Sequence, residues 1–501
     1  MNRRELLQQL MLGTAGALLA PMALVRAAGG MSPLVAGAEQ AAWASGFRNL
    51  SQNSLACGTL ELSGQWPAAL QGVFYRNMPA RFERGGQRYQ HWFDGDGMVQ
   101  AFRLGKGRIE HQGRFVETHK FRADEAAGRM RRPTFGTRLP DMDPMAEADD
   151  MNVANISVIW HGGRLMALWE AGSAWELDPH NLATIGPVTW RDDLKGTPFS
   201  AHPKKDSDGT LWNFGAAVGN LLVIYHIAAD GVMKRAEAVP VPALPMVHDF
   251  AITERHLIFL LPPLQLEIER FSTGRSVLDS YQWQAGQPMR VLTVDKNDWT
   301  RQRWYELPAA FVFHLGNAWE ESSGTIRFDY LRYADARILT ESFRSVLRGT
   351  DFTEHRAQLA QVTLHPDSGR VDQRLLPGNS EFPALDPRGV GRRQRFLVLT
   401  EATADIGRPG FNALRRIDLD RETEQNYRFE ADIMVEEHLV IPKNNHSPDG
   451  DAWLLGTVLD TRRGITRLTL FDAAHLEDGP IAQAALPYGL PLGFHSHFVR
   501  S

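Results

Sequence analysis

Histidine is the residue type in this sequence whose pattern points most directly to chemistry. The chain has 17 histidines and a single cysteine, Cys57, so neither an internal disulfide nor a cysteine-rich zinc site can form. Any bound metal ion must therefore be held by imidazole and carboxylate groups. Four histidines lie in short apolar or glycine-containing segments, and they are His202, His248, His314 and His495.

The gaps between these four histidines are 46, 66 and 181 residues, which fit no local metal-binding motif. Taken singly, each is more typical of a buried, hydrogen-bonded histidine than of a metal ligand. Nine other histidines fall where surface or turn residues are expected, and we predict no function for them. They are His111, His161, His180, His226, His256, His355, His365, His446 and His475.

The elements that must position these side chains are strands. From Met98 onward, short runs of Val, Ile, Leu, Trp and Tyr alternate with turn residues, and no long stretch has the helical period of 3.6. This pattern predicts an all-β chain built from seven repeated units. The units begin near Val99, Leu165, Leu211, Leu257, Ile326, Phe396 and Trp453.

Seven units of about four strands each predict a seven-bladed β-propeller, an architecture that lets one domain hold so long a chain. The unit spacing is irregular, and the insertions at residues 116–160 and 262–285 are predicted to form a cap over one face. The four histidines fall in different predicted blades. Because the inner strands of a propeller converge on its axis, four imidazoles from different blades would meet there and form a metal site.

The N-terminal 27 residues have the pattern of an export signal. A charged start with Arg3 and Arg4 precedes an uncharged run at residues 10–25, which is shorter than the ~20 residues of a spanning helix. Small residues follow, and we predict cleavage after Ala27. The arginine pair predicts twin-arginine export of the folded protein to the periplasm, with residues 28–501 forming a single propeller domain. An ordinary secretory signal that contains two arginines is the alternative.

Composition limits the partners of the chain. It has 54 Lys+Arg and 59 Asp+Glu, a formal net charge of -5, and 43% hydrophobic residues. These values exclude a disordered chain and a strongly basic nucleic-acid-binding protein. The apolar run at residues 256–264 is predicted to be a core strand rather than a membrane-dipping surface, so we expect at most peripheral membrane contact.

Three further motifs, with the four histidine segments, carry a resemblance to a known family. The motifs are Tyr-Arg-Asn-Met-Pro at residues 75–79, His-Trp-Phe-Asp-Gly-Asp-Gly-Met at 91–98 and His-Gly-Gly-Arg-Leu-Met-Ala-Leu-Trp-Glu at 161–170. From about Gly46 to the last residue, the chain resembles the carotenoid cleavage oxygenases, which also include stilbene-cleaving dioxygenases and a retinoid isomerase. The resemblance implies a seven-bladed propeller that holds one non-haem Fe(II) ion per chain.

The resemblance also assigns site residues. The implied iron ligands are His202, His248, His314 and His495. The implied carboxylate partners are Glu170 for His248, Glu381 for His314 and Glu437 for His495, and His202 has none. Four neutral imidazoles bring no negative charge, so carboxylates that accept their outer N–H groups would balance the metal and fix each tautomer. Imidazole also accepts zinc, copper or nickel, so iron follows from the resemblance alone.

Two departures from the family pattern and one ambiguity lie near the implied site. Ile156 stands where the family usually has Thr or Val beside the iron, and this β-branched group is expected to fill the same space. Met78 replaces a glycine of the family motif and is expected to alter a turn near the rim. His497 follows His495 by two residues, and on a strand both would point to the same side. We expect His495 to be the ligand and His497 to lie outside the ligand set.

The resemblance implies a dioxygenase that inserts O2 across a conjugated double bond of a carotenoid or apocarotenoid and releases two carbonyl products. No catalytic acid or base beyond the metal centre is required. The substrates would be an apolar polyene, or an aromatic alkene, and O2. A long apolar substrate also implies an aromatic-lined tunnel to the axis.

Other functions stay open at this stage. Cleavage of a phenolic stilbene would use Tyr89 and Lys120 to hold and ionise a substrate hydroxyl, unless these two residues simply lie on the surface. Isomerisation on the same metal site and a non-catalytic metal-binding propeller are further alternatives. A copper redox propeller is excluded because a lone Cys57 cannot supply a cysteine-containing copper domain.

Overall fold

The strands of the protein form seven large sheets around a common axis. The computed structural model describes residues 41–501 except 218, 244, 350, 351, 353 and 405, so the predicted export signal at residues 1–27 lies outside the described residues. Each of the seven predicted unit starts falls within a different sheet. The prediction of a seven-bladed β-propeller is therefore confirmed.

The strands of the first four blades are given in chain order. Blade one holds Ser54–Thr59, Gly72–Arg81, Asp96–Gly105, Arg108–Phe115 and Ser496–Arg500. Blade two holds Ser157–His161, Arg164–Leu168, Trp175–Leu177 and Thr184–Pro187. Blade three holds Lys204–Lys205, Leu211–Ala217, Leu221–Ile227 and Met233–Pro240. Blade four holds Phe250–Ile252, His256–Leu261, Met289–Asp295 and Gln302–Leu307.

The remaining blades and two small hairpins complete the sheets. Blade five holds Phe311–Glu320, Ile326–Tyr333, Ala357–His365 and Arg370–Leu375. Blade six holds Ser380–Ala384, Phe396–Glu401, Ala413–Asp418 and Thr423–Arg428. Blade seven holds Glu61–Gly64, Ile433–Pro442, Ala452–Asp460, Ile465–Asp472 and Ala482–Ala485. The hairpins pair Glu83–Arg84 with Gln87–Arg88 and Leu264–Leu266 with Tyr281–Trp283.

The ring is closed by strands from opposite ends of the chain. Ser496–Arg500 pairs antiparallel with Gly72–Arg81 in blade one, and Glu61–Gly64 pairs with Ala482–Ala485 in blade seven. Closing the ring in this way leaves only short, protected sheet edges. Outer strands such as Arg108–Phe115 alternate between buried and less buried residues, whereas Ala452–Asp460 is buried along its whole length because both of its faces pack against neighbouring blades.

Short helices occur in the segments that connect the blades. The α-helices of the described chain are His119–Ala127, Ile268–Ser272, Val277–Ser280 and Phe343–Arg348, and a π-helical turn covers Ile338–Ser342. The short 3-10 turns are Ala42–Phe47, Trp92–Asp94, Ala148–Met151, Asp192–Leu194, Pro387–Gly389 and Ala473–Asp478. None of the described helices is long and apolar enough to cross a membrane.

The inserted segments pack on one another to form the cap. The two predicted insertions meet where the Leu278 N–H donates to the Phe135 carbonyl (2.9 Å). A third insertion at residues 334–356, which was not predicted, joins them through an ion pair between Arg344 and Asp279 (2.7 Å). The ring of His91 donates to the Leu339 carbonyl (2.9 Å) and so ties this insertion to the 91–98 motif.

The structure corrects two expectations about single residues. Met78 alters no turn, because it lies fully buried inside the continuous strand Gly72–Arg81, paired with Met98. His111 and His161 are not surface residues. Both residues are buried, because His111 packs against Gln100 of the neighbouring strand and His161 packs against the turn that carries the Ala228 carbonyl, and each ring is hydrogen-bonded there. The run at residues 256–264 is a buried strand followed by a buried turn, as predicted.

Asp329 is a buried carboxyl group that leads to a prediction about stability. Neither of its oxygens has a well-formed hydrogen bond in the described structure. Burial raises its pKa from 3.8 to about 7, and the weak contact with the Gln361 amide opposes this effect only in part. Between pH 4 and 7 the Asp329 carboxyl group therefore loses its proton in the unfolded chain but keeps it in the folded chain. The free energy of unfolding falls as the pH rises through this range. We expect Asp329→Asn to increase the free energy of unfolding at pH 8 by about 2–4 kcal/mol and by less at pH 5.

Urea unfolding at the two pH values measures this effect. A variant that is less stable than the wild type at pH 8 would contradict the prediction.

Candidate metal centre

The four singled-out histidines meet on the propeller axis. His314 lies in the inner strand Phe311–Glu320, while the other three come directly before the inner strands of blades three, four and one. One ring nitrogen from each of His202, His248, His314 and His495 lies within 4.8 Å of the others. The rings are largely buried, and the blades therefore bring together residues that are up to 293 positions apart in the chain.

Three of the four rings donate their Nδ1–H group to a carboxylate. His314 donates to Glu381 Oε2 (2.5 Å), and His495 donates to Glu437 Oε1 (2.9 Å). The third pair is His248 with Glu170. His202 has no carboxylate partner in the part of the chain that the structure describes.

The glutamates are themselves held by backbone groups. Glu437 Oε2 accepts a hydrogen bond from Ser496 N (2.6 Å), and Glu381 Oε2 accepts one from Phe382 N (3.0 Å). Burial raises the pKa of Glu381 to about 7. A metal cation among the rings would favour the ionised form of this carboxyl group, because positive charge nearby lowers a carboxyl pKa.

Burial favours the neutral form of three of the four imidazoles. Burial lowers the pKa of His202, His248 and His314 well below 6.5, and the neighbouring histidines add to this effect. A neutral imidazole with Nδ1–H has a lone pair on Nε2, which is the form that binds a metal ion.

The spacing of the ring nitrogens fits a cation between them. The Nε2 atoms of His314 and His495 are 3.1 Å apart, and both rings use Nδ1 as the donor. When both rings are the neutral Nδ1–H tautomer, the two Nε2 lone pairs at this distance repel each other and cannot form a hydrogen bond. A positive ion placed among the four rings satisfies these acceptors, so the donor set fits a divalent transition metal.

Backbone contacts place His495 among the four converging histidines. The N–H group of His495 donates to the Ile156 carbonyl (3.1 Å), and Phe494 N donates to the Asn77 carbonyl (3.1 Å). Gly493 permits this approach, because a Cβ atom there would lie 2.7 Å from Arg76 Nε. The buried Ile156 side chain lines the same cavity as the histidine rings.

His497 faces a different space from His495. His495 lines the cavity under the cap, whereas His497 lines a second cavity of about 440 Å³, together with Lys204 and Arg388. The expectation that both rings point to the same side is wrong, because His495 precedes the strand Ser496–Arg500 and does not follow its alternation. His497 is outside the group of four converging histidines.

The cavity beside the histidines is aromatic. Its walls near the ring include Phe93, Phe313, Phe382 and Phe494, and Phe313 packs edge-on against the ring of His248 at 5.1 Å between centroids. Further lining residues from the unpredicted insertion are Ile338, Phe343, Val346 and Phe352. The apolar spacing of these residues in a segment between two strand units is the signal that could have identified them.

Tyr89 and Lys120 are buried and in contact, so the alternative that they lie on the surface is wrong. The ammonium group of Lys120 contacts the Tyr89 hydroxyl, Asp96 Oδ1 (2.7 Å) and Asp124 Oδ2 (3.0 Å). The Tyr89 hydroxyl in turn donates to Asp124 Oδ2 (3.2 Å). Among the described residues that line the aromatic cavity, neither Tyr89 nor Lys120 is included.

The fold and the site together define a class: propellers with four axial histidines that can hold a metal ion beside an apolar cavity. Comparison with known proteins narrows this class. The family model described as retinal pigment epithelial membrane protein matches residues 48–500. The chain belongs to this family, that of the carotenoid cleavage oxygenases.

Individual relatives are similar over almost the whole chain. Apocarotenoid-15,15'-oxygenase from Synechocystis is 30% identical over 88% of this chain and 93% of its own length. Lignostilbene-alpha,beta-dioxygenase isozyme III from Sphingomonas paucimobilis is 29% identical over 88% of this chain and 93% of its own length. The crystal structure of the cobalt-substituted Synechocystis enzyme superposes with a TM-score of 0.84 at 28% identity, covering 92% of this chain and 98% of the other.

Proposed function

We propose that the protein is an Fe(II)-dependent dioxygenase that cleaves a conjugated carbon-carbon double bond of a carotenoid or apocarotenoid to two carbonyl products. The observation that carries this proposal is the convergence of four histidines, three of them paired with carboxylates, on an aromatic cavity. When bound, Fe(II) would supply the redox chemistry that activates dioxygen.

The residues of the chain would hold the metal and the substrate in place. Glu170, Glu381 and Glu437 keep three imidazoles in the tautomer that presents Nε2 to the axis. The phenylalanine rings of the cavity would stack against a planar polyene and exclude water from the reacting double bond. No general acid or base is required beside the histidines, since the reaction adds oxygen and breaks a double bond without net proton transfer.

The identity of the metal is part of the proposal. Four imidazoles would accept several first-row metals, and the cobalt-substituted structure of the Synechocystis relative shows that a metal other than iron can be used in such a site. Iron is proposed on the family to which the chain belongs, and a metal that does not change its oxidation state, such as zinc, would not supply this chemistry.

Phenolic stilbene cleavage is the second candidate. The similarity to the lignostilbene dioxygenase and the contact between Tyr89 and Lys120 favour it. Against it, the three N–H donors of Lys120 are matched by three partners, and the pair lies outside the lining of the cavity. A substrate hydroxyl would have to displace one of these buried contacts, so the polyene remains our first choice.

Product analysis tests both candidates. The iron-loaded protein is incubated under 18O2 with an apocarotenal and, separately, with a hydroxystilbene, and the products are identified by mass spectrometry. Labelled apocarotenoid aldehydes or ketones are expected. Labelled benzaldehydes would instead establish the second candidate. If the iron-loaded protein cleaves neither substrate, the proposal is overturned. The remaining candidate functions would then be isomerisation or binding without catalysis.

A further inference from the structure

Among the described residues, no carboxylate accepts a hydrogen bond from the ring of His202. Two residues later, Lys204 lies in the inner strand Lys204–Lys205 of blade three. Its Nζ atom is 2.7 Å from Asp249 Oδ1, and Asp249 directly follows His248. An ion pair thus joins the segment that carries His202 to the segment that carries His248.

The same carboxylate reaches a third histidine. Asp249 Oδ2 accepts a hydrogen bond from the N–H group of Leu315 (2.9 Å), the residue that follows His314. Its Oδ1 atom also accepts from Phe250 N (2.8 Å). One side chain therefore contacts residues within two positions of three of the four converging histidines, in three different blades. It makes no hydrogen bond to any of the four rings in the described structure.

Burial makes this contact strong. The Asp249 side chain is 2% exposed, and that of Lys204 is 21% exposed. A buried carboxylate is stable only when it is paired and hydrogen-bonded, and here two backbone N–H groups and one ammonium group satisfy it. Small shifts of any of the three segments would break one of these contacts, so the carboxylate fixes their relative position.

We propose that the Lys204–Asp249 pair is a positioning unit that holds His202, His248 and His314 at the separation required for metal binding. For His202, which has no carboxylate partner among the described residues, the pair fixes the position of the backbone segment that carries the ring. The inference rests on the metal centre of the proposed function. It adds two residues that neither bind the metal nor touch the substrate.

Metal-binding measurements on four variants test the unit. They are Lys204→Met, the conservative Lys204→Arg, the double variant Lys204→Met with Asp249→Asn, and the matched control Lys205→Met, whose exposed lysine donates to the Trp160 carbonyl. The double variant removes the pair without leaving a buried charge, which keeps the test valid if the single variant is unstable. The Fe(II) dissociation constant and the number of imidazole ligands seen by X-ray absorption are measured, with the unfolding of the metal-free protein as a check of the fold.

Loss of the pair is expected to weaken Fe(II) binding about tenfold or more, the usual effect of removing groups that orient metal ligands. The imidazole count should fall from four towards three, while Lys205→Met keeps the wild-type values and Lys204→Arg retains most of the affinity. Wild-type affinity and four imidazoles in both Lys204→Met and the double variant would overturn this inference but not the proposed metal centre. A wild-type protein that binds no Fe(II) would overturn the inference together with the proposed metal centre.

Discussion

His495→Ala is expected to abolish metal binding and alkene cleavage, whereas His497→Ala is expected to retain both. His495 is one of four rings that converge within 4.8 Å, and its Nδ1 atom is held by Glu437 at 2.9 Å. His497 lines the second cavity and is outside the group of four. A metal ion contributes several kcal/mol to the stabilisation of a reacting group. Its loss therefore predicts a decrease in rate on the order of 10³-fold or more.

The metal content of both variants after loading with Fe(II) is the measurement, with turnover of an apocarotenal as the second readout. The two substitutions are matched in chemistry and differ by two positions in the chain, so each serves as the control for the other. Iron retained by His495→Ala, or lost from His497→Ala, would contradict the assignment of the fourth ligand.

The fold could be predicted from the sequence because most of its signals are local. Five of the seven blades are built entirely from strands that follow one another in one stretch of the chain, and all seven predicted unit starts fall in separate blades. The insertion at residues 334–356 was missed because its helical part, Ile338–Arg348, covers only about three turns and has no strand pattern.

The carboxylate partners of the histidines show what spacing cannot reveal. The paired residues are 78, 67 and 58 positions apart in the chain, and they meet only because the blades are joined in a ring. Their assignment at the sequence level came from the family resemblance. The Lys204–Asp249 ion pair had no such signal, since both residues read as ordinary charged positions next to a histidine.

Tyr89 and Lys120 illustrate a different limit. A lysine in a polar, charged segment is normally exposed, and only long-range structure shows that Lys120 is fully buried. Its counter-ions, Asp96 and Asp124, come from a strand of blade one and from the helix His119–Ala127. The burial of Lys120 therefore depends on contacts between elements, not on the local pattern.

This burial gives the second large expected effect. Lys120→Met should lower the free energy of unfolding by about 3–5 kcal/mol, the usual result of removing one partner of a buried ion pair, because Asp96 and Asp124 lose a shared cation. Burial opposes the charge on Lys120, but Asp96, Tyr89 and Asp124 outweigh this effect and keep its pKa above the ordinary value. The loss of stability should lower carotenoid and stilbene turnover alike.

Denaturant unfolding of Lys120→Met measures the loss, with Lys234→Met as the control at an exposed lysine. The double variant Lys120→Met with Asp124→Asn should recover part of the stability, because it removes one of the two carboxylates left without their cation. A variant that is as stable as the wild type and has lost only stilbene turnover would contradict the structural role of Lys120. That outcome would instead show that the ammonium group serves a phenolic substrate, since a purely structural lysine has no reason to distinguish the two substrates.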